Sequence, residues 1–265
     1  MQYQTIDAPA SLSPFVKCFW SFEGNQEGQS YVYRSLADGC AELIFHYKGL
    51  FSEPDVQGNP FYAGLAAQTK EYKRYITQEA FGIFGAYLYP FAIPLLFNIP
   101  AYELTGEMPD LVTLLGNEGR ILQDTILQAP GNHQRSIILG NYLEKKLQNR
   151  FSEHDAVFSA IRHVIQAEEI SNIPALSGMF CMSERTLERK FKDFAGLSPK
   201  LLFRISRFKS TLNDYGNQTR SLTEIAHACG YYDQSHFISE FKSFSGYHPR
   251  QYFHGRPEGV EWRDA

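Results

Sequence analysis

Two stretches near the C-terminus decide the fold: FKDFAGLSP at residues 191–199 and FKSFSGYHP at residues 241–249. They share Phe, Lys, Phe, Gly and Pro at equivalent positions, 50 residues apart. Extended backwards they become IPALSGMFCMSERTLERKFKDFAGLSP and LTEIAHACGYYDQSHFISEFKSFSGYHP. Each reads as a short helix, a tight turn and a longer helix, with one extra residue in the second turn. Ser183 and Asp233 stand where an N-cap is needed, because a side-chain oxygen there can accept from the free amides of the first turn. Leu187, Phe191 and Phe194 fall at i, i+4 and i+7, and Phe237, Phe241 and Phe244 repeat that spacing. Such spacing buries one flank of a helix. Gly196 and Gly246 are C-terminal stops, and Pro199 and Pro249 suit the first turn of a following helix.

The opposite flanks are polar. The first carries Arg185, Thr186, Glu188, Arg189 and Lys192; the second carries Gln234, Ser235, His236, Ser239 and Lys242. A helix-turn-helix presents the start of its second helix to base edges in the DNA major groove. Arginine pairs with a guanine edge through two parallel bonds, and glutamine does the same with adenine. Arg185, Glu188 and Arg189 are therefore base-reading candidates in the first unit, and Gln234, Ser235, His236 and Ser239 in the second. Thr186, Lys192 and Lys242 are phosphate candidates. Between the units, SPKLLFRISRFKSTLND reads as a stiff connecting helix. Its Leu202, Ile205 and Phe208 can pack against both units, and its Arg204, Arg207 and Lys209 are further phosphate candidates, which would position without reading sequence.

These residues resemble the AraC/XylS family of transcription regulators over the C-terminal ~100 residues. The stretch SLTEIAHACGYYDQSHFISEFKSFSGYHPRQY is similar to the family signature in its I-A-x-x-x-G turn, its aromatic before the cap, its S-x-F and F-K pairs and its G-x-x-P-x-x-Y ending. MSERTLERKFKDFAGLSP looks like the other recognition helix of the family. Two departures stand in the first unit. Cys181 occupies the turn position where glycine is usual, which predicts strain or a different turn shape, and Ser177 replaces the usual alanine. The resemblance implies promoter DNA as partner. RNA polymerase, a small-molecule effector and a second copy of the chain are possible further partners.

The N-terminal part has a different texture. FVKCFWSF, YVYRSLA, AELIFHY and FGIFGAYLY are rich in aromatic and β-branched residues, separated by turn formers such as Asp38-Gly39. Short strands closing on themselves predict a sandwich or barrel. YPFAIPLLFNIP has three prolines in twelve residues and reads as extended or broken. From Pro109, helical spacing returns, with Ile138, Tyr142, Leu143 and Leu147 near one face of a hairpin of helices. The fold class expected is thus α+β: a β-rich sandwich or barrel ending in a helical hairpin, then an all-α domain. The expected bounds are 1–150 for a regulatory or dimerising domain, 151–256 for the DNA-binding domain and 257–265 for a flexible tail. LSPFVKCFWSF, LADGCAELIFHY, YAGL and LVTLLG resemble the β-rich sensor domain attached to some of these regulators, whose ligand is uncharacterised.

Ligand-lining candidates in the β-rich part are Trp20, Phe22, Tyr62 and Tyr87, with Arg34, Glu42 and His46 as polar handles. The alternative is that most of these aromatics only form the core. Net charge is −4, yet residues 152–256 carry 13 Lys/Arg against 11 Asp/Glu while residues 1–151 carry 11 against 15. This asymmetry is modest, so the placement of the basic groups matters more than their number. His46 and His133 are the only histidines before residue 151, with no H-x-H or H-x-x-x-H. No metal site and no cofactor are expected. No G-x-S-x-G is present, and Cys18 and Cys40 lack the setting of a reactive thiol, so no catalytic residue is expected. No apolar run approaches a membrane span, and MQYQTIDAPASLSPF lacks the build of a secretory leader, so a cytoplasmic protein is expected. The rival reading is a small-molecule-binding module whose helical tail makes protein contacts.

Overall fold

The computed structural model describes residues 1–25, 30–54, 61–147, 155–166, 172–214 and 220–254. Seven strands come first: β1 (Gln2–Asp7), β2 (Val16–Gly24), β3 (Tyr31–Ser35), β4 (Ala41–Lys48), β5 (Ala63–Ala66), β6 (Lys73–Thr77) and β7 (Phe81–Leu88). Five form an antiparallel sheet in the order β1-β2-β7-β4-β5, and β3 pairs with β6 in a separate two-stranded sheet.

The large sheet is apolar on both faces, and its alternation separates two jobs. On β4, Ala41, Leu43 and Phe45 join the main core with Phe84, Ala86 and Leu88 of β7. The residues between them, Glu42, Ile44 and His46, face the other way, toward β3 and β6. There, Trp20, Phe22, Tyr31, Phe51, Phe81 and Ile83 form a second, aromatic cluster. Trp20 lies across β7 opposite Gly85, its register partner. A Cβ at Gly85 would come within 2.7 Å of the indole, so glycine is what lets the ring lie there.

Five helices complete this part: α1 (Ala92–Phe97), α2 (Ala101–Leu104), α3 (Leu111–Leu115), α4 (Asn117–Gln128) and α5 (Asn132–Leu147). YPFAIPLLFNIP is helical at Ala92–Phe97, contrary to the extended or broken reading. Pro94 is the third residue of α1, where its missing N–H has no intrahelical acceptor to lose. Asn98 then stops the helix with φ 55. The buried row of α5 is Leu139, Leu143 and Leu147, one position round from Ile138 and Tyr142, which are only half-buried.

Among the described residues seven α-helices follow, in keeping with the all-α expectation: α6 (Asp155–Gln166), α7 (Ile173–Met179), α8 (Glu184–Ala195), α9 (Pro199–Thr211), α10 (Leu222–Ala228), α11 (Gln234–Ser245) and α12 (Pro249–His254). The expected boundary near residue 150 and the tail at 257–265 lie outside the described residues. The main core continues from the β-rich part into these helices. Phe158 of α6 stacks on Phe91 with centroids 4.6 Å apart, and Gln166 donates to the Tyr89 hydroxyl at 2.6 Å. Among the described residues, no helix is long and apolar enough to cross a membrane.

Candidate nucleic-acid interface

The two repeats build the same object. Ser183 Oγ accepts from the Thr186 amide at 3.2 Å, and an Asp233 carboxylate oxygen accepts from the His236 amide at 2.7 Å. Each cap satisfies one of the otherwise unpaired amides of its helix's first turn. Leu187 and Phe191 are buried on α8, and Phe237, Phe241 and Phe244 on α11. Gly196 and Gly246 end the helices in the left-handed conformation, with φ 68 and 72.

The turns match as well. Met182 N donates to Ser177 O and Tyr231 N to Ala226 O, each at 2.9 Å. Cys181 takes φ 51 where the second turn has Gly230 at φ 73. The first turn therefore keeps the shape of the second, and a Cβ is carried in a backbone region that normally favours glycine. The additional residue of the second turn is Tyr232, whose ring is 88% exposed.

On α8, Arg185, Glu188, Arg189 and Lys192 are exposed and Thr186 is half-buried against the Ser183 cap. On α11, Gln234, Ser235, His236, Ser239 and Lys242 are exposed. The Gln234 side chain accepts from Thr223 at 3.1 Å, which ties α11 to α10. His236 Nε2 sits 3.4 Å from a Glu240 oxygen. Lys192 holds its ammonium 4.8 Å above the ring of Tyr102, on α2. Arg189 borders a groove of about 520 Å³ with Pro94, Asn98 and Pro100 on the other side, so the β-rich part flanks α8.

The connector's basic residues are differently placed. Arg204 pairs with the buried Glu240 and lies 5.5 Å from the Phe244 ring. Arg207 lies over Tyr231 at 5.3 Å. Lys209 lines a cavity of the β-rich part. Two further basic positions obey the 50-residue repeat and are exposed, Lys200 after Pro199 and Arg250 after Pro249. The repeat, carried one residue further, was the signal for them.

The ligand candidates meet in two adjoining cavities. One, of about 310 Å³, is lined by Trp20, Phe22, Arg34, Glu42 and Tyr87 among others. The larger, of about 510 Å³, shares Trp20 and Glu42 and adds His46. Tyr62 is 53% exposed and outside both linings. Sequence reasoning did not single out Lys17, Phe51 or Tyr75, which line them too. Burial, then the charge of Asp38, push Glu42's carboxyl up to about 8 from 4.5, with Lys17 opposing. Burial pushes the His46 imidazole down, against its bond from Nδ1 to Phe61 O at 3.1 Å. Among the described residues, no group of three or more His, Cys, Asp or Glu could hold a metal ion.

Two family models match separate parts of the chain. Residues 176–255 match the model of a helix-turn-helix domain, and residues 4–110 match a domain of unknown function (DUF6597). The chain is 31% identical over 87 residues to the HTH-type transcriptional activator RhaS of Escherichia fergusonii, covering 33% of this chain and 31% of that protein. It is 29% identical over 114 residues to RhaS of Escherichia coli O1:K1, covering 43% and 40%. The matches thus span a third to two fifths of these relatives. ToxT from Vibrio cholerae aligns over 96% of this chain and 98% of its own at 11% identity, with a TM-score of 0.49. The DNA-binding domain of AdpA, solved with a target DNA, aligns over 41% and 90% at 17% identity and a TM-score of 0.30. Nothing further rests on those two likenesses.

Proposed function

We infer, from a C-terminal domain that belongs to the AraC/XylS family of helix-turn-helix proteins, that the chain is a sequence-specific transcription regulator acting on promoter DNA in the cytoplasm. It reads two adjacent major-groove segments, one with α8 and one with α11. The observation that carries this reading is the duplicated helix: two copies, 50 residues apart, each with a side-chain cap, a buried apolar flank (Phe194 half-buried where Phe244 is buried), a glycine stop and an exposed donor-rich flank. A single polar flank is an ordinary solvated surface; two in matched frames are what a reader of two groove segments requires.

Phosphate contacts fall to Lys192 and Lys242, and to Lys200 and Arg250 at the next repeat-related pair. Arg204 and Arg207 hold the connector together and act on DNA only by fixing the two units. The β-rich part is the regulatory half, with a small molecule in its paired cavities as the controlling input. No step of the reading needs catalysis, and the family resemblance favours a regulator over an enzyme.

Binding to promoter fragments at two salt concentrations tests this. Neutralising about four phosphates predicts a loss of affinity on the order of 100-fold between 50 and 200 mM salt. Affinity independent of salt, or no affinity for any fragment upstream of a gene, would leave the module with a protein-binding tail as the better reading.

A further inference from the structure

We propose that the aromatic chamber of the β-rich domain takes a small organic cation, an amine on an apolar body, with the Glu42 carboxylate as its counter-ion. This rests on reading that domain as the ligand-controlled half.

Glu42 is the only residue of β4 that lines both cavities. It is partly buried between the two cavities, and no hydrogen bond or ion pair reaches it among the described residues. A carboxylate without a cation in such a place is unfavourable. Burial and the charge of Asp38 raise its pKa to about 8, so near neutral pH Glu42 holds a proton, and a ligand's ammonium group can take the proton's place.

The walls favour the same charge. Trp20, Tyr33, Phe51 and Tyr75 line the larger cavity, and aromatic faces attract cations and repel anions. Carboxylates of Glu42, Glu53 and Glu107 outnumber the single cation, Lys73, in that lining. His46 uses Nδ1–H on the Phe61 carbonyl, which leaves Nε2 as an acceptor. Lys73 is paired with Glu53 at 3.3 Å.

The smaller cavity carries Lys17, Arg34 and Lys209 beside Asp38. Two of these cations are already engaged: Lys17 sits 4.4 Å above the Tyr87 ring, and Arg34 lies on Tyr247. The competing occupant is therefore an organic anion held at that end, and the test must separate the two.

Three probes of one shape do so: 4-phenylbutylamine, 4-phenylbutan-1-ol and 4-phenylbutyrate, titrated into the full chain by calorimetry near neutral pH. The amine should bind at least tenfold more tightly than the alcohol or the carboxylate. Glu42→Gln should remove that preference while still binding the alcohol, which reports an intact chamber. The proposal falls if the carboxylate binds as tightly as the amine, if the amine shows no heat at millimolar concentration, or if Glu42→Gln keeps full amine affinity. Should the Gln variant not fold, the three-probe comparison on the unaltered chain still decides. Promoter binding by the same preparation is measured alongside. Amine binding without salt-dependent DNA binding would overturn the regulator reading and leave this one standing; the reverse would overturn only this one.

Discussion

Arg34 of β3 donates from Nη1 to the carbonyl oxygen of Gly246 at 2.8 Å, although 212 positions separate them. The guanidinium lies 3.8 Å above the neighbouring Tyr247 ring. The first reading unit is held at the equivalent point: the Thr105 hydroxyl donates to Gly196 O at 3.0 Å and accepts from Gln68 Nε2 at 2.9 Å. The β-rich domain thus holds both α8 and α11 at their stop glycines. A Cβ at Gly196 would collide with Gln68 and Thr105, and one at Gly246 with Tyr72 and Arg34. These glycines serve the backbone turn and the close approach at once. Because Arg34 also lines the smaller cavity, a ligand there touches the grip on α11 directly. Arg34→Ala should lower unfolding stability by about 1–2 kcal/mol, the worth of a charged hydrogen bond and a ring contact at a half-exposed site. Hydrogen exchange should rise around residues 244–248 and stay unchanged in β4 and β7. Unchanged exchange at α11 would mean that the grip does not hold the unit.

The helix-turn-helix half was legible because its signals are local. A cap, an i, i+4, i+7 row and a stop glycine lie within fourteen residues, and duplication doubled their weight. The β-rich half depends on long-range pairing, and its weakest members carry little pattern. β1 is a mostly polar edge strand, and β5 has four residues. Helix α1 contains a proline that reads as a breaker until its first-turn place is known. The chamber was half legible: the alternation on β4 puts Glu42 and His46 on one face, but Tyr75 arrives from a strand that sequence alone did not reveal. Arg204 read as a phosphate contact because its charge is visible in sequence and its partner, Glu240, sits 36 positions away.

Glu42 should make the ligand-free protein less stable at alkaline pH. Its carboxyl titrates at about 8 in the fold against 4.5 in an unfolded chain. Between those values the folded chain keeps a proton that the unfolded chain has released, so stability is full below about 4.5 and is lost as pH rises through 8. His46 is pushed the opposite way and titrates lower, so a window from about pH 7 to about pH 9 isolates Glu42. Thermal melts across that window should fall for the unaltered chain and fall less for Glu42→Gln. Parallel curves would show that Glu42 is already ionised at neutral pH, with Lys17 as its partner.

Cys181→Gly should stabilise the protein. Cys181 carries a side chain at φ 51, where Gly230 stands in the sister unit. The left-handed conformation costs an L-residue about 1–2 kcal/mol, and the greater freedom of glycine in the unfolded chain returns part of that gain. A net increase of about 0.5–1 kcal/mol is expected, read by denaturant unfolding with an unchanged slope. A loss of stability would mean that the exposed thiol makes a contact worth more than the backbone strain.

Arg189→Ala separates reading from mere attraction. Arg189 is exposed on α8, beside the corner at Asn98 and Pro100. If its guanidinium meets a guanine edge, the variant should lose about 1–3 kcal/mol at the cognate duplex and much less on a scrambled one. If it meets only phosphate, both duplexes should weaken together and the salt slope should drop by about one unit. Equal weakening would move Arg189 out of the reading set and leave Arg185 and Glu188 to specify the first half-site. Because the corner at residues 98–100 flanks the same side chain, affinity should also be compared with and without the amine probe. A cognate affinity that shifts with ligand in the unaltered chain but not in Arg34→Ala would place the path of control through the bond from Arg34 to Gly246.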